Sequence, residues 1–187
     1  MGLFGNRPDN ETKRQTPKPA FDALLPLLPQ PLGGKYLVFE LAGEFYGLLL
    51  KRVQEVVAVE ELDAPTSMPD YALGRLDLRG QPIPVVDLRR KLHVRAKRLD
   101  AKSSIVVAHV TPLGGKMHAV GFLVDAIEDV LLVAPDTIQE TPYLARDGQP
   151  GEFPGIARVG EGKFKRTITL IHPDPLLSAR DLARMTR

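Results

Sequence analysis

An all-β fold is predicted by three observations. Short runs rich in β-branched and aromatic residues recur along the chain, Gly- and Pro-bearing clusters separate them, and an eleven-residue stretch of the first half aligns without gaps to one of the second. The 187 residues, 43% apolar and 26% charged, are an ordinary globular mix. That length suits one domain, or two small barrels sharing a core.

Residues 1–34 differ from the rest of the chain. They hold six of the 17 prolines, and residues 5–20 are polar and weakly basic, which predicts a mobile Pro-rich N-terminal extension. Its apolar knot (Phe21, Leu24, Leu25, Leu27 and Leu28) reads as a short turn packed back on the chain's own barrel, or else as a docking peptide. The stretch MGLFGNRPDNETKR has no apolar signal core, and Ala23 to Gly34 is too short and too Pro-broken to span a membrane.

From Lys35 the pattern becomes strands. YLVFEL (36–41) alternates, with Leu37, Phe39 and Leu41 on one face, and Gly43 joins it to FYGLLL (45–50) as a hairpin. Pro69 and Gly74 bracket a single predicted helical turn over 69–73. Further strands follow at 83–88, 104–110, 118–124, 130–133 and 166–171. Asp174 is a candidate cap, and Pro175 a first-turn residue, for a C-terminal helix over about 174–186. Leu176, Leu177, Ala179, Leu182 and Ala183 would lie on its packed face.

YGLLLKRVQEV (46–56) aligns with VGFLVDAIEDV (120–130): Gly47 with Gly121, Val53 with Ile127, Glu55 with Asp129, Val56 with Val130. Each copy follows one strand and precedes a Gly-led turn and a last strand. The expected organisation is a first barrel over about 35–93, a second over about 103–172, and a boundary near 94–103. The two matched glycines mark a bulge or a close backbone approach.

DLRGQPIPVVDLRRKL (77–92) resembles the signature of CheW-like coupling proteins, usually Asn-Leu-Arg-Gly before an apolar strand and Asp-Leu. KYLVFELAGEFYG resembles the opening hairpin of that family, and VGFLVDAIEDVLLV its central strand pair. The likeness runs from about Lys35 to Leu177. It implies two five-stranded SH3-like barrels around a shared hydrophobic core, and a non-catalytic adaptor. The implied partners are the regulatory domain of a CheA-type histidine kinase and the cytoplasmic tip of a chemoreceptor, a methyl-accepting chemotaxis protein. The implied place is the cytoplasm at membrane-associated receptor arrays, with the membrane engaged only through receptors. Carried over by position, Leu78, Arg79 and Gly80 form the coupling turn. Val53, Glu55 and Val56, with Val124 and Asp125 across the barrel junction, resemble the receptor-facing groove.

Asp77 replaces the usual Asn, and a pair with Arg79 would hold the guanidinium back. Leu49 stands where relatives place a polar residue and, if exposed, would shift the partner surface. These departures leave room for a ring filler, or for a scaffold in a non-flagellar system such as pilus motility. Complementary barrel ends also allow weak self-association.

Other classes find little support. Zero cysteine removes thiolate chemistry and zinc–cysteine sites, and His93, His109, His118 and His172 fall in no ligand spacing. No nucleophile elbow, P-loop or zincin motif occurs, so no cofactor, metal or catalytic residue is expected. Asp87, Asp125, Glu128 and Asp129 read as solvated strand ends or barrel–barrel contacts. LRRKLHVRAKRLDAK (88–102) is basic, but it has no interleaved aromatic residue for base stacking. It reads as a solvated inter-barrel loop with no nucleic-acid partner, and a basic nucleic-acid-binding barrel is the rival from another class.

Overall fold

The computed structural model describes residues 32–63, 68–141, 151–162 and 165–186. The expectations placed on the N-terminal extension before Leu32, including the apolar knot, lie outside these residues. The described residues form two sheets. Strands β1 (Gly34–Leu41), β2 (Glu44–Leu49), β8 (Ala126–Val133), β9 (Ile138–Glu140), β10 (Gly155–Val159) and β11 (Arg166–Ile171) form one sheet in the order β8-β1-β2-β11-β10-β9. Strands β3 (Val53–Ala58), β4 (Ala72–Leu78), β5 (Gln81–Asp87), β6 (Ser104–Val110) and β7 (His118–Val124) form the other in the order β3-β6-β7-β5-β4. No helix among the described residues is long and apolar enough to cross a membrane.

This topology corrects the expected division into a barrel over 35–93 and another over 103–172. Each sheet takes a hairpin from one half of the chain and its remaining strands from the other. The β1–β2 hairpin joins β8, β10 and β11, and the β6–β7 hairpin joins β3, β4 and β5. The cause is local. After β2 a 3-10 turn, Leu50–Arg52, carries the chain across to the other sheet, and after β7 the single residue Asp125 carries it back. The first sheet also counts six strands, not five. The extra one, β9, spans three residues on the edge of β10, and the bridge between Asp63 and Arg75 does the same work beside β4.

The duplication therefore survives as a twofold relation between interlocked halves. Gly47 lies opposite Val38 on β1 and beside Leu170 on the parallel strand β11. Gly121 lies opposite Val107 on β6 and beside Val85 on the parallel strand β5. A bulge falls at matched positions too, at Gln54 in β3 and Glu128 in β8. At both glycines the expected close approach is present. A Cβ on Gly47 would lie 3.1 Å from Ile168 Cγ2, and one on Gly121 would lie 2.7 Å from Ile105 Cγ2.

Successive residues on a strand point to opposite faces, and here both faces of several strands are covered. Tyr36 and Val38 enter the interior of the first barrel with Val133, Ala157, Ile168 and Leu170. Leu76, Ile83, Val85, Ile105, Val107 and Leu123 fill the second. Leu37, Phe39, Leu41, Val86, Val106, Ala108, Phe122 and Val124 belong to a third cluster, shared between the sheets. YLVFEL is thus buried on both faces, not on one.

Two shorter expectations change. Residues 69–73 make a turn, Ala72 N–H to Pro69 C=O at 2.8 Å, leading into β4. Gly74 stops no helix. Its φ of +143° lets the chain pass Asp63, whose carbonyl oxygen would lie 2.5 Å from a Cβ there. The expected helix over 174–186 is a 3-10 turn, Asp174–Leu176, followed by α2, Ala179–Met185. Ser178 is the cap, in a reciprocal box with Asp181, while the Asp174 carboxylate is spent on Thr111 N–H and Arg52. Leu176, Leu177, Leu182 and Met185 are buried in the shared core, whereas Ala179 and Ala183 face solvent.

Polar joints sit at both crossings. At the β7–β8 crossing Arg89, on the short helix α1 (Leu88–Lys91), places Nε and Nη2 each 2.9 Å from one oxygen of Asp87. Its Nη1 lies 2.8 Å from Asp125 Oδ1 and 3.0 Å from the Lys97 carbonyl. Asp125 Oδ2 accepts the Ala42 N–H of the β1–β2 turn at 2.7 Å. All three charged side chains are below a tenth exposed. Burial by itself would raise the Asp87 pKa, but the Arg89 hydrogen bonds and charge outweigh it and hold the carboxyl below its usual value.

The β2–β3 crossing has the equivalent joint with its charges rearranged. Asp174 accepts from Arg52 and from Thr111 N–H, the position matching Ala42, and donates its own N–H to His172 Nδ1 at 3.3 Å. Burial lowers the His172 pKa. Asp174 opposes that shift, and Arg52 and Lys51 reinforce it. The unfolded chain therefore binds the proton more readily, so stability is lost as pH falls below about 6.5, the ordinary histidine value. Urea denaturation between pH 7.5 and 5.5 is expected to show this loss in the wild type and a flatter profile in His172→Gln; equal slopes would refute it.

Candidate functional site: the Arg-Gly turn and its edge strand

β4 and β5 are joined by the two residues Arg79 and Gly80, with φ of +56° and +81°. Positive φ at both central positions defines a type I′ turn, whose twist matches that of the flanking strands. Gly80 takes this conformation freely. For Arg79 the left-handed region costs about 1–2 kcal/mol, so the turn is held by its surroundings. Asp77 Oδ1 accepts the Gly80 N–H at 2.7 Å, and that is where the expected Asp77–Arg79 pair is corrected. Asp77 braces the backbone, and the carboxylate meeting Arg79 is Glu55, with Oε2 at 3.0 Å from Nη2.

The Arg79 side chain is 78% exposed. An exposed ion pair is worth at most about 1 kcal/mol, so Glu55 orients the guanidinium without consuming it. The pair also spans the sheet's two margins, because β3 and β4 are its edge strands.

Val53, Glu55 and Val56 do not form one strip. The Gln54 bulge sets Val53 opposite Ala108 and Val56 opposite Val106, on the shared-core face, while Glu55 lies opposite Val107 on the other. Val53 is half-buried against the shared core and Val56 is 42% exposed. On the matching strand Ile127 and Val130 repeat this, Val130 being 43% exposed. Leu78 is half-buried against the interior of its own barrel, so only its two successors present the turn outward.

Val124 and Asp125 are corrected as surface residues. Val124 is fully buried in the shared core, and Asp125 belongs to the Arg89 joint. Val124 ends β7 and Asp125 follows it where the chain changes sheets, and both are buried. Leu49 likewise packs half-buried against the first barrel interior and shifts no outer surface. The basic stretch is also not a continuous stripe. Arg89 is buried, Arg90 Nη1 donates to the Asp70 carbonyl, Lys91 lies over the Tyr71 ring, and Lys97 pairs with Glu40.

Sequence reasoning placed Arg89 in a solvated loop and missed the joint. The available signal was Asp-Leu-Arg at a strand end, which puts a carboxylate and a guanidinium within bidentate reach. Among the described residues no group of three or more His, Asp or Glu side chains is arranged to hold a metal ion.

Two interlocked barrels with an outward cation beside exposed apolar edge positions define a β-barrel module suited to protein contacts. The CheW-like domain family matches residues 35–181. The chain is 28% identical over 157 residues to the chemotaxis protein CheW of Klebsiella aerogenes, covering 84% of this chain and 89% of the relative. It is 30% identical over 150 residues to that of Rhizobium meliloti, covering 80% and 91%. The crystal structure of the scaffolding protein TtCheW from Thermoanaerobacter tengcongensis superposes with a TM-score of 0.65 at 27% identity, over 81% of this chain and 92% of that one. The chain belongs to the CheW-like domain family, with its SH3-like double barrel.

Proposed function

We propose that this protein is a non-catalytic adaptor that couples chemoreceptor cytoplasmic tips to the regulatory domain of a CheA-type histidine kinase. It would act in the cytoplasm at membrane-associated receptor arrays. The observation that carries the reading is the Arg79–Gly80 turn, a strained hairpin end whose guanidinium is aimed by one weak partner and remains open to another. Family membership supports the same role. A receptor tip is a helical hairpin. Its apolar ridge would lie along the shared-core margin at Val53 and Val56, with a carboxylate replacing Glu55 on Arg79. Barrel-end stacking on a kinase domain of the same fold would complete the bridge, and it also permits weak self-association.

Arg79→Ala removes a side chain whose one ion pair is exposed, so stability is expected to change by less than about 0.5 kcal/mol. Affinity for a receptor-tip fragment is expected to fall on the order of tenfold, the worth of one charge-assisted hydrogen bond. Isothermal titration gives the affinity, and unchanged binding overturns the assignment. Kinase autophosphorylation with and without the protein tests the coupling itself. A change in output supports an adaptor, and co-assembly with no change makes it a ring filler.

A further inference from the structure

Residues 94–103, between α1 and β6, have no regular secondary structure, yet they are held at every third residue. Val94 N–H bonds the Arg89 carbonyl at 2.9 Å and its side chain packs on the shared core. The Lys97 carbonyl accepts from buried Arg89, and its ammonium pairs with Glu40. Asp100 N–H donates to Ser103 Oγ at 3.0 Å, Asp100 Oδ1 accepts Lys102 N–H at 2.8 Å, and Ser103 is buried.

The residues between these anchors come in outward pairs. Arg95 with Ala96, Arg98 with Leu99, and Ala101 with Lys102 are all exposed, each pair holding one cation and one apolar side chain. Arg95, Arg98 and Lys102 have no side-chain ion pair among the described residues, and Leu99 is 43% exposed in their midst. No aromatic residue is present to stack a base, so the chemistry fits an acidic polypeptide better than a nucleic acid.

We propose that residues 95–102 form a docking surface for an extended, acidic, Leu-bearing segment of a partner protein, presented in a fixed conformation by the Arg89 joint. The segment's carboxylates meet Arg95, Arg98 and Lys102, and its apolar side chains cover Leu99 and the two alanines. This surface is separate from the Arg79 turn and does not depend on the role assigned there.

The test is fluorescence anisotropy on the full chain with two labelled peptides of equal length and charge, one a Glu-Leu-Ser repeat and one a Glu-Ser-Ser repeat. The Leu-bearing peptide is expected to bind on the order of tenfold more tightly, the worth of one well-covered Leu. Raising salt from about 50 to 300 mM weakens both. Leu99→Ser removes the difference between the peptides, Arg95→Glu with Arg98→Glu and Lys102→Glu abolishes binding of both, and Arg79→Ala changes neither. Matching thermal melts establish that the variants fold. Equal affinity for the two peptides, retention of binding by the charge-reversed variant, or tighter binding of a single-stranded oligonucleotide of equal charge would overturn the proposal.

Discussion

Arg89→Met is expected to lower stability by about 3–5 kcal/mol at neutral pH, read from urea denaturation. Arg89 lies between Asp87 and Asp125 with all three groups buried, and each ion has given up several kcal/mol of hydration to be there. Removing the cation leaves two desolvated carboxylates, with Ala42 N–H, the backbone N–H groups of residues 89 and 90 and the exposed Arg90 side chain as weaker remaining partners. The deficit has a pH signature. In the wild type Asp87 is held below its usual pKa, so its contribution is present above about pH 4 and is lost as pH falls through the lower folded value. In the variant burial, the largest single cause, still raises this carboxyl, while the guanidinium's hydrogen bonds and charge that offset it are gone and only the weaker backbone donors remain. The native state then binds protons more readily than the unfolded chain, and the deficit shrinks on acidification toward about pH 5. Adding Asp87→Asn and Asp125→Asn is expected to recover much of the loss at pH 7. A deficit under about 1 kcal/mol, or one that grows on mild acidification, would contradict this account.

The second large effect is expected at Gly121. Its φ is ordinary, so backbone strain is not the issue. The limit is space: a Cβ would lie 2.7 Å from Ile105 Cγ2 and 3.2 Å from Val85 Cγ2, both in the fully packed interior of the second barrel. Gly121→Ala should cost about 2–3 kcal/mol, since neither β-branched neighbour turns aside without leaving its rotamer. Gly47 is the internal control. Its nearest contacts would be 3.1 Å to Ile168 Cγ2 and 3.3 Å to Tyr36 Cδ1, so Gly47→Ala should cost about 1 kcal/mol. Chemical denaturation of both variants tests the ordering, and an equal or reversed cost would remove close approach as the reason for these glycines.

The strands and the duplication were legible in the sequence because each depends on local pattern, namely β-branched runs, turn residues and a matched glycine. The assignment of strands to barrels was not. Nothing in KRV or VDA tells a reader that the chain changes sheets at Leu50–Arg52 and again at Asp125; that depends on which edges are free when the hairpins meet. Alternation in YLVFEL suggested one buried face because the residues of the other face, Tyr36, Val38 and Glu40, include two with polar atoms. The barrel interior takes Tyr36 by giving its hydroxyl the Leu32 carbonyl at 2.5 Å. At the candidate site the Arg-Gly turn was legible from its spacing, and its partner was not. The Gln54 bulge turns Glu55 away from Val53 and Val56, and no periodicity shows a bulge. Val124 and Asp125 were misplaced for a related reason: they stand at a change of sheet, where adjacency in sequence says little about exposure.

The exchange of hairpins bears on how the chain is made. When residues up to about 93 have left the ribosome, β1 and β2 still lack β8, β10 and β11, and β3, β4 and β5 still lack β6 and β7. The second barrel becomes complete once β7 emerges. The first waits for β11, which lies between β2 and β10 and comes last in chain order among the described strands. Early in translation, then, the nascent polypeptide carries the apolar runs of the first half with no finished sheet to receive them until β7 emerges, and the first barrel closes only after β11 follows.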